Sequence, residues 1–288
     1  MELWAIGLIL FSALLHGVWN YLAKNSIDKY VFSWWMKLFE FLIYMPVGVY
    51  LLSIAVIPTV GWYLAMVSGA VHTAYWFFLS ASYTHGDLSI VYPIGRSSPI
   101  IVTLLAVLFF GESLSYVGIL GILTVMMGVY LLSVDSLEPK RFLSPLTLIR
   151  KPGVIYALLT ALSVTAYTLV DKSGSQYLNP ILYVWTEKWI SIIPFTFLAA
   201  TSKKAAVPRE WEKNKLPIVA AGLLSPLSYA MIVYVMQSVQ VSYIVSVRQV
   251  SVVFGVILGG TLLKEKNLKI RLFSSILIFA GLFLIGYQ

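Results

Sequence analysis

Apolar stretches of about 20 residues, the length a helix needs to cross a hydrocarbon core, follow one another along this chain with only short polar interruptions. Ten such segments can be read, at 3–22, 31–55, 60–83, 88–110, 114–134, 153–170, 180–200, 216–238, 242–263 and 269–287. No water is present in lipid to satisfy backbone N–H and C=O groups, so segments of this kind span as helices. The composition agrees: 59% of the 288 residues are hydrophobic and 11% are charged, against about 45–50% and 25% in soluble domains. The expectation is an all-α integral membrane protein with ten transmembrane helices, the lipid bilayer being its first partner.

Several functions lose their materials at this point. With no Cys and three His, Cys-based zinc and iron–sulfur sites, disulfides and thiol nucleophiles are excluded, so neither metal nor cofactor is expected. The net charge of +8 does not point to nucleic acid, because the basic residues lie in short connections rather than on one soluble surface. The start, MELWAIGLILFSALLHGVWN, lacks a basic n-region and reads as a retained first helix, not as a signal peptide.

The basic connections carry topological information. Lys24 and Lys29 follow segment one; Lys140, Arg141, Arg150 and Lys151 follow segment five. Lys203, Lys204, Arg209, Lys213 and Lys215 follow segment seven; Lys264, Lys266, Lys269 and Arg271 follow segment nine. Fifteen of the 20 Lys and Arg thus fall in odd-to-even connections and only Lys172 on the opposite side. By the positive-inside rule the odd-to-even face is cytoplasmic, which places both termini outside. The stretch TSKKAAVPREWEKNK, 201–215, reads as a solvated polar loop.

The two halves also echo each other. Lys24 and Lys172, like Pro46 and Pro194, are 148 apart, while Glu112 and Glu265, like Gly128 and Gly281, are 153 apart. Five segments per half is an odd number, so the second half inserts upside down. Two inverted repeats, 1–135 and 153–288 with a linker at 136–152, imply a pseudo-two-fold axis in the membrane plane and a site at the midplane.

Charges inside the segments are expensive and therefore informative. Arg96, in YPIGRSSPI, and Arg248, in SVRQVS, occupy repeat-related segments four and nine. A guanidinium is always charged and offers a planar fork suited to carboxylate or phosphate, although each can also bond carbonyls or snorkel. Pro93 and Pro99 bracket Arg96 and remove backbone N–H groups beside it. Lys37 and Glu40 share one face of segment two, and Glu187 and Lys188 lie in segment seven. Under the 148 offset Glu40 corresponds to Lys188, so the axis can bring these opposite charges together, as a structural pair or as a proton-coupling one. His16 and His72 are interhelical hydrogen bonders or proton relays. Tyr92, Trp19, Asn20, Tyr75, Trp76, Tyr167, Trp185 and Tyr229, with Gln249 beside Arg248, are candidates to line a pocket. Gly255 and Gly259 form a close-packing GxxxG face, and Glu112 and Glu265 read as turn or interface anchors.

The run YPIGRSSPIIVTLLAVLFFGESLS, then VGILGILTVMMGVYLLS, echoed by VSVRQVSVVFGVILGGTLLKEKNLK, resembles the EamA-like branch of the drug/metabolite transporter superfamily over nearly the whole chain. The resemblance implies a basket-like bundle around a central cavity, and a carrier of amino acids, other metabolites, nucleotide-linked sugars or phosphorylated sugars. It also implies that Arg248, in the ninth helix, contacts anions, whereas Gln249 stands where phosphate carriers would want a second basic residue. The expected function is therefore secondary transport of small organic solutes, with export of amino acids or related metabolites leading, possible proton coupling, and no fixed oligomeric state. The alternatives are carriage of phosphorylated or other anionic metabolites, and a non-transporting scaffold or sensor. A membrane enzyme lacks its motifs: no HExxH, GxGxxG, P-loop or Ser/His/Asp set is present.

Overall fold

The computed structural model describes residues 1–24, 26–86, 91, 94–132, 151–251, 253 and 268–287, without the side chains of residues 24, 83, 132 and 268–272. Among the described residues the chain forms ten α-helices and no strand: α1 Leu3–Lys24, α2 Lys29–Ile54, α3 Thr59–His85, α4 Ser98–Phe110, α5 Tyr116–Leu132, α6 Pro152–Gly174, α7 Pro180–Thr201, α8 Ala206–Met236, α9 Val241–Val247 and α10 Leu268–Tyr287. Of these, α1, α2, α3, α6 and α8 are long and apolar enough to cross a membrane, and α4, α5 and α10 supply shorter apolar helices.

Local chemistry sets the boundaries. The Asp28 carboxylate caps α2, accepting from the backbone N–H of Tyr30 at 3.0 Å and of Val31 at 3.3 Å, and Asn179 caps α7 through the N–H of Ile181 at 3.0 Å; each satisfies a donor that helix geometry orphans. Pro152 and Pro180 begin α6 and α7, where no N–H is needed. Gly111, at φ 62°, ends α4 in the left-handed conformation that glycine adopts without a steric penalty. Pro46 and Pro194 lie inside α2 and α7 at matched positions.

Three expectations are corrected. Residues 201–215 are not a solvated loop: α8 starts at Ala206 and changes direction at Asn214, whose φ of −124° and ψ of 26° are non-helical. The dense charge of this stretch conceals an amphipathic turn and a half. Trp211 stacks on Phe39 with centroids 5.4 Å apart, the Trp35 indole N–H donates to Val207 O at 3.2 Å, and Glu210, 1% exposed, accepts the Asp28 N–H at 2.8 Å. Segment four is not continuous either. Ile94 and Gly95 are helical, the helix breaks at Arg96 and Ser97, and Pro99 sits in the first turn of α4, so it starts a helix rather than kinking one. Segment nine likewise breaks: α9 ends at Val247, Arg248 and Gln249 form a turn, and Val250 and Ser251 are helical again. Pro93, Glu265, Gly255 and Gly259 lie outside the described residues.

The packing has two-fold character. α1 packs on α8 as α6 packs on α3, and α2 packs on α8 as α7 packs on α3; α2 with α7, α4 with α9 and α5 with α10 pair with their own counterparts. Exchanging each helix for the one five further on leaves this pattern unchanged. Close approach of α5 and α10 shows it at atomic scale. A Cβ on Gly121 would meet Gly281 O at 2.8 Å, a Cβ on Gly281 would meet Gly121 O at 2.6 Å, and one on Gly128 would meet Ser274 O at 2.8 Å. Gly281 is the counterpart of Gly128, and Ser274 of Gly121, each 153 residues on, so the contact is self-reciprocal, as a two-fold interface must be.

The connections segregate to two ends. At one, Asp28 meets Lys203 and Glu210, and the backbones of Gly86 and Gly153 touch. At the other, Glu112 accepts the N–H groups of Val241 and Ser242, Gln240 donates to Ser113 O, and Lys172 donates to the carbonyls of Met236 at 2.6 Å and Val239 at 3.0 Å. α1 therefore ends at the first face and α6 at the second.

Candidate functional site

A polar network runs through the middle of the bundle where α2, α3, α6, α7 and α8 converge. Apolar faces of these helices pack outward and leave a few charged residues to face one another. On α2, Lys37 is 3% exposed, its ammonium lying 5.4 Å from the centroid of Phe195 and 5.8 Å from that of Trp76. One turn on, Glu40 lies 3.6 Å from the Lys188 ammonium of α7. Lys188 also bonds directly to its neighbour Glu187. The second oxygen of Glu187 lies 3.4 Å from His72 Nδ1 and accepts from Ser68 Oγ at 3.2 Å, both on α3. Two lysines and two glutamates thus alternate in space, so that neither sign is buried without the other.

The network continues to a residue that the charge pattern of the sequence did not single out. Asp171 on α6 is fully buried; it accepts from the Tyr183 hydroxyl of α7 at 2.7 Å and from the Tyr229 hydroxyl of α8. Lys172 beside it masks it in the sequence; that ammonium points to the helix end and bonds the carbonyls of Met236, the last residue of α8, and of Val239 beyond it. The usable signal was an acidic residue inside an apolar helix that also carries Tyr167 one turn away. Ser68 and Tyr183 gave no signal at all, since serine and tyrosine are common in membrane helices.

Aromatic rings connect this core to the two arginines. His72 stacks on Tyr167, with centroids 3.9 Å apart and planes at 20°, and meets Tyr229 edge-on at 5.4 Å. The guanidinium of Arg248 lies over the Tyr229 ring at 5.1 Å, a cation–π distance. Arg248 caps α9 and Arg96 sits in the break before α4, both partly buried at helix discontinuities in repeat-related positions. His16 meets Trp19 edge-on at 4.9 Å. Two buried polar atoms nearby have no hydrogen-bond partner, the indole N–H of Trp19 and the side-chain oxygen of Gln249.

The remaining candidates divide. Tyr75 lies edge-on to Trp76 and to Tyr167, joining the aromatic wall. Asn20 donates to His16 O at 2.7 Å within its own helix. Trp185 donates its indole N–H to Phe41 O at 3.1 Å, stacks on that ring and covers Gly48, so it wedges α7 against α2. Tyr92 lies outside the described residues. Glu112 and Lys172 act at helix ends: a carboxylate on the N-terminus of α9 and an ammonium on the C-terminus of α8, the signs that the helix dipole favours.

His72, Asp171 and Glu187 present ligand atoms within 4.8 Å of one another, close enough to hold a cation. Their oxygens, however, are already engaged by Tyr183, Tyr229, Ser68 and the Lys188 ammonium. Lys188 compensates Glu187 and faces Glu40, while Asp171 is held by the two phenols.

Comparison with known proteins adds the following. The EamA-like transporter family matches the chain twice, over residues 3–134 and 151–287. No curated protein matches it. The chain of one solved crystal structure aligns over 98% of this chain and 97% of its own length, with a TM-score of 0.76 and 13% identity; at that identity the likeness shows a shared fold.

Proposed function

We propose, from the premise that this chain belongs to the EamA-like transporter family and is a multi-pass membrane transporter of small solutes, that it carries amino acids or related metabolites bearing a carboxylate. The observation that carries this reading is the pair of arginines, Arg96 and Arg248, each at a helix break in one half of the molecule. Broken helices at repeat-related positions are where carriers of this architecture place their sites, and non-helical backbone at membrane depth is tolerated where it is buried in protein or lines a cavity. Trp19 N–H and the Gln249 side-chain oxygen are a buried donor and acceptor without partners nearby, able to read polar groups of a zwitterion. Tyr75, Trp76, Tyr167 and Tyr229 supply flat apolar surface for its body.

In this reading the repeats 1–135 and 153–288 rock about the axis between α2 and α7, joined through 136–152, with the odd-to-even face cytoplasmic. Glu40 and Lys188 meet on that axis as a structural pair that ties the halves together. Export is the direction that the family resemblance implies.

The test is a thermal-shift screen of the purified protein with amino acids, organic acids, sugar phosphates and organic cations, repeated on Arg96→Gln. A ligand that binds only the folded state raises apparent stability. Stabilisation by carboxylate-bearing solutes that disappears in the variant supports the reading. Stabilisation by sugar phosphates alone favours the phosphorylated class, and stabilisation by cations that survives Arg96→Gln overturns the anion site.

A further inference from the structure

Building on the carrier reading, we propose that Asp171 is the exchangeable proton site of this protein and that Tyr229 links its protonation to occupancy of Arg248. The three buried carboxylates of the network differ in their compensation. Glu40 faces Lys188 at 3.6 Å and Glu187 bonds Lys188 directly, whereas Asp171 forms no ion pair with a described lysine or arginine. Lys188 serves both glutamates, and Asp171 is the carboxylate left without such a partner among the described lysines and arginines. Uncompensated charge in such a place is costly, and taking up a proton removes it.

Every element around Asp171 supplies a group that responds to that proton. From α3 come Ser68 and His72, from α7 Tyr183 and Glu187 with Lys188 behind it, from α8 Tyr229, and on α6 itself Tyr167 and Lys172. A carboxylate is acceptor-only, and both its oxygens are used, Oδ1 by Tyr183 and Oδ2 by Tyr229. A neutral acid must donate once, so one phenol has to turn. Tyr183 has a second acceptor in reach, Leu64 O at 3.5 Å, and its hydroxyl can leave Oδ1 for that carbonyl as the proton arrives there.

Tyr229 reports the other end. Its ring lies under the Arg248 guanidinium at 5.1 Å while its hydroxyl holds Asp171, so the positive charge of Arg248 is transmitted towards the carboxylate. An anion bound at Arg248 neutralises that charge, and Asp171 then binds its proton more tightly; by linkage the proton strengthens anion binding by the same factor. Proton and anion therefore bind together. The proton enters from the compartment the cavity faces and leaves with the solute into the other, with no covalent bond to the solute made or broken. Export then runs down the solute's own gradient and carries the proton outward.

The experiment is infrared titration of the protein reconstituted in lipid, with no solute present, following the carbonyl band of a protonated carboxylic acid. Labelling with 13C-aspartate identifies the residue type without a variant, and only four Asp, at 28, 87, 135 and 171, are present. The expected result is a titrating band that moves on Asp labelling, disappears in Asp171→Asn, persists in Glu40→Gln and Glu187→Gln, and titrates about one pH unit or more higher in Arg248→Gln. A band insensitive to Asp labelling, or one whose midpoint is the same in Arg248→Gln, overturns the proposal. The proton is read without any solute, so this failure leaves the carrier reading standing, and a protein with the expected titration that moves no solute sinks the carrier reading instead.

Discussion

The ammonium of Lys188 lies 3.6 Å from the carboxylate of Glu40, across the boundary between the two halves of the chain. Their positions are 148 residues apart, the same offset that relates Lys24 to Lys172, so the pair sits where the two-fold relation brings matched positions of α2 and α7 together. Lys188 also serves Glu187, and the two carboxylates depend on it unequally. Removing the cation strands two buried negative charges, which costs about 3–5 kcal/mol, while removing Glu40 leaves Lys188 paired. Lys188→Gln is expected to lower the unfolding temperature in detergent far more than Glu40→Gln, and the double variant to fall between them. Equal losses in the two single variants would contradict this assignment of partners.

Glu40 faces Lys188 at 3.6 Å without a direct hydrogen bond, a structural partner and not the proton site. Glu40→Gln is expected to leave both gradient-driven accumulation of a transported amino acid in proteoliposomes and exchange of that amino acid for itself close to wild type. Loss of accumulation with exchange spared would move the proton site from Asp171 to Glu40.

The α5–α10 contact is set by backbone proximity. A Cβ at Gly281 would meet Gly121 O at 2.6 Å and Val125 N at 2.7 Å, whereas Gly7 has open space. Gly281→Leu is expected to destabilise by about 1–3 kcal/mol or more, as overpacking does, with Gly7→Ala close to neutral. Thermal unfolding of the two variants side by side checks this.

At the odd-to-even end, Asp28 and Lys203 pair at 2.8 Å. Burial works against the Asp28 carboxylate, but the Lys203 hydrogen bond and the Val31 and Tyr30 N–H groups outweigh it and hold its pKa below the usual value; the same bond raises that of Lys203. A lowered acid pKa gives stability that is present above the unfolded value, about 3.9, and lost as pH falls through the folded one; a raised lysine pKa gives stability present below about 10.4 and lost as pH rises through the folded value. The stability difference between wild type and Lys203→Met is expected to be flat between about pH 5 and 9 and to shrink at both extremes. It is modest throughout, because both groups are partly exposed.

Membrane orientation has its own test, aided by the absence of cysteine. Single cysteines at Lys204 and at Gln176 sit in connections at opposite ends of the bundle. In intact cells an impermeant thiol reagent is expected to label the second and not the first; the reverse would invert the assignment.

How much of this was legible from the sequence depended on how loudly each residue departs from its surroundings. A charge in an apolar run is conspicuous, so Lys37, Glu40, Glu187, Lys188, Arg96 and Arg248 stand out in the sequence as intramembrane charges, and the repeat offset pairs Glu40 with Lys188, which the structure places 3.6 Å apart. Asp171 was missed because it adjoins Lys172 near a helix end, where charges are ordinary. The interfacial turn of α8 was missed for the opposite reason: its many charges drown the Val207 and Trp211 pattern. The breaks at Arg96 and Arg248 were only half visible, since proline marks the first and nothing in SVRQVS marks the second. Of the pocket candidates, Trp185 turned out to be a wedge on Gly48, a role that depends on a tertiary neighbour and leaves no local trace.

The most direct measurement is efflux of a preloaded mixture of the proteinogenic amino acids and simple organic acids from proteoliposomes, followed by mass spectrometry, for wild type, Arg96→Gln and Arg248→Gln. Loss of one charge-assisted hydrogen bond is worth about 1.5–3 kcal/mol, or tenfold and more in binding. A carboxylate-bearing class is expected to leave wild-type vesicles and to be slowed about tenfold or more in each variant, with protein incorporation unchanged. Efflux at the wild-type rate from both variants would contradict this expectation.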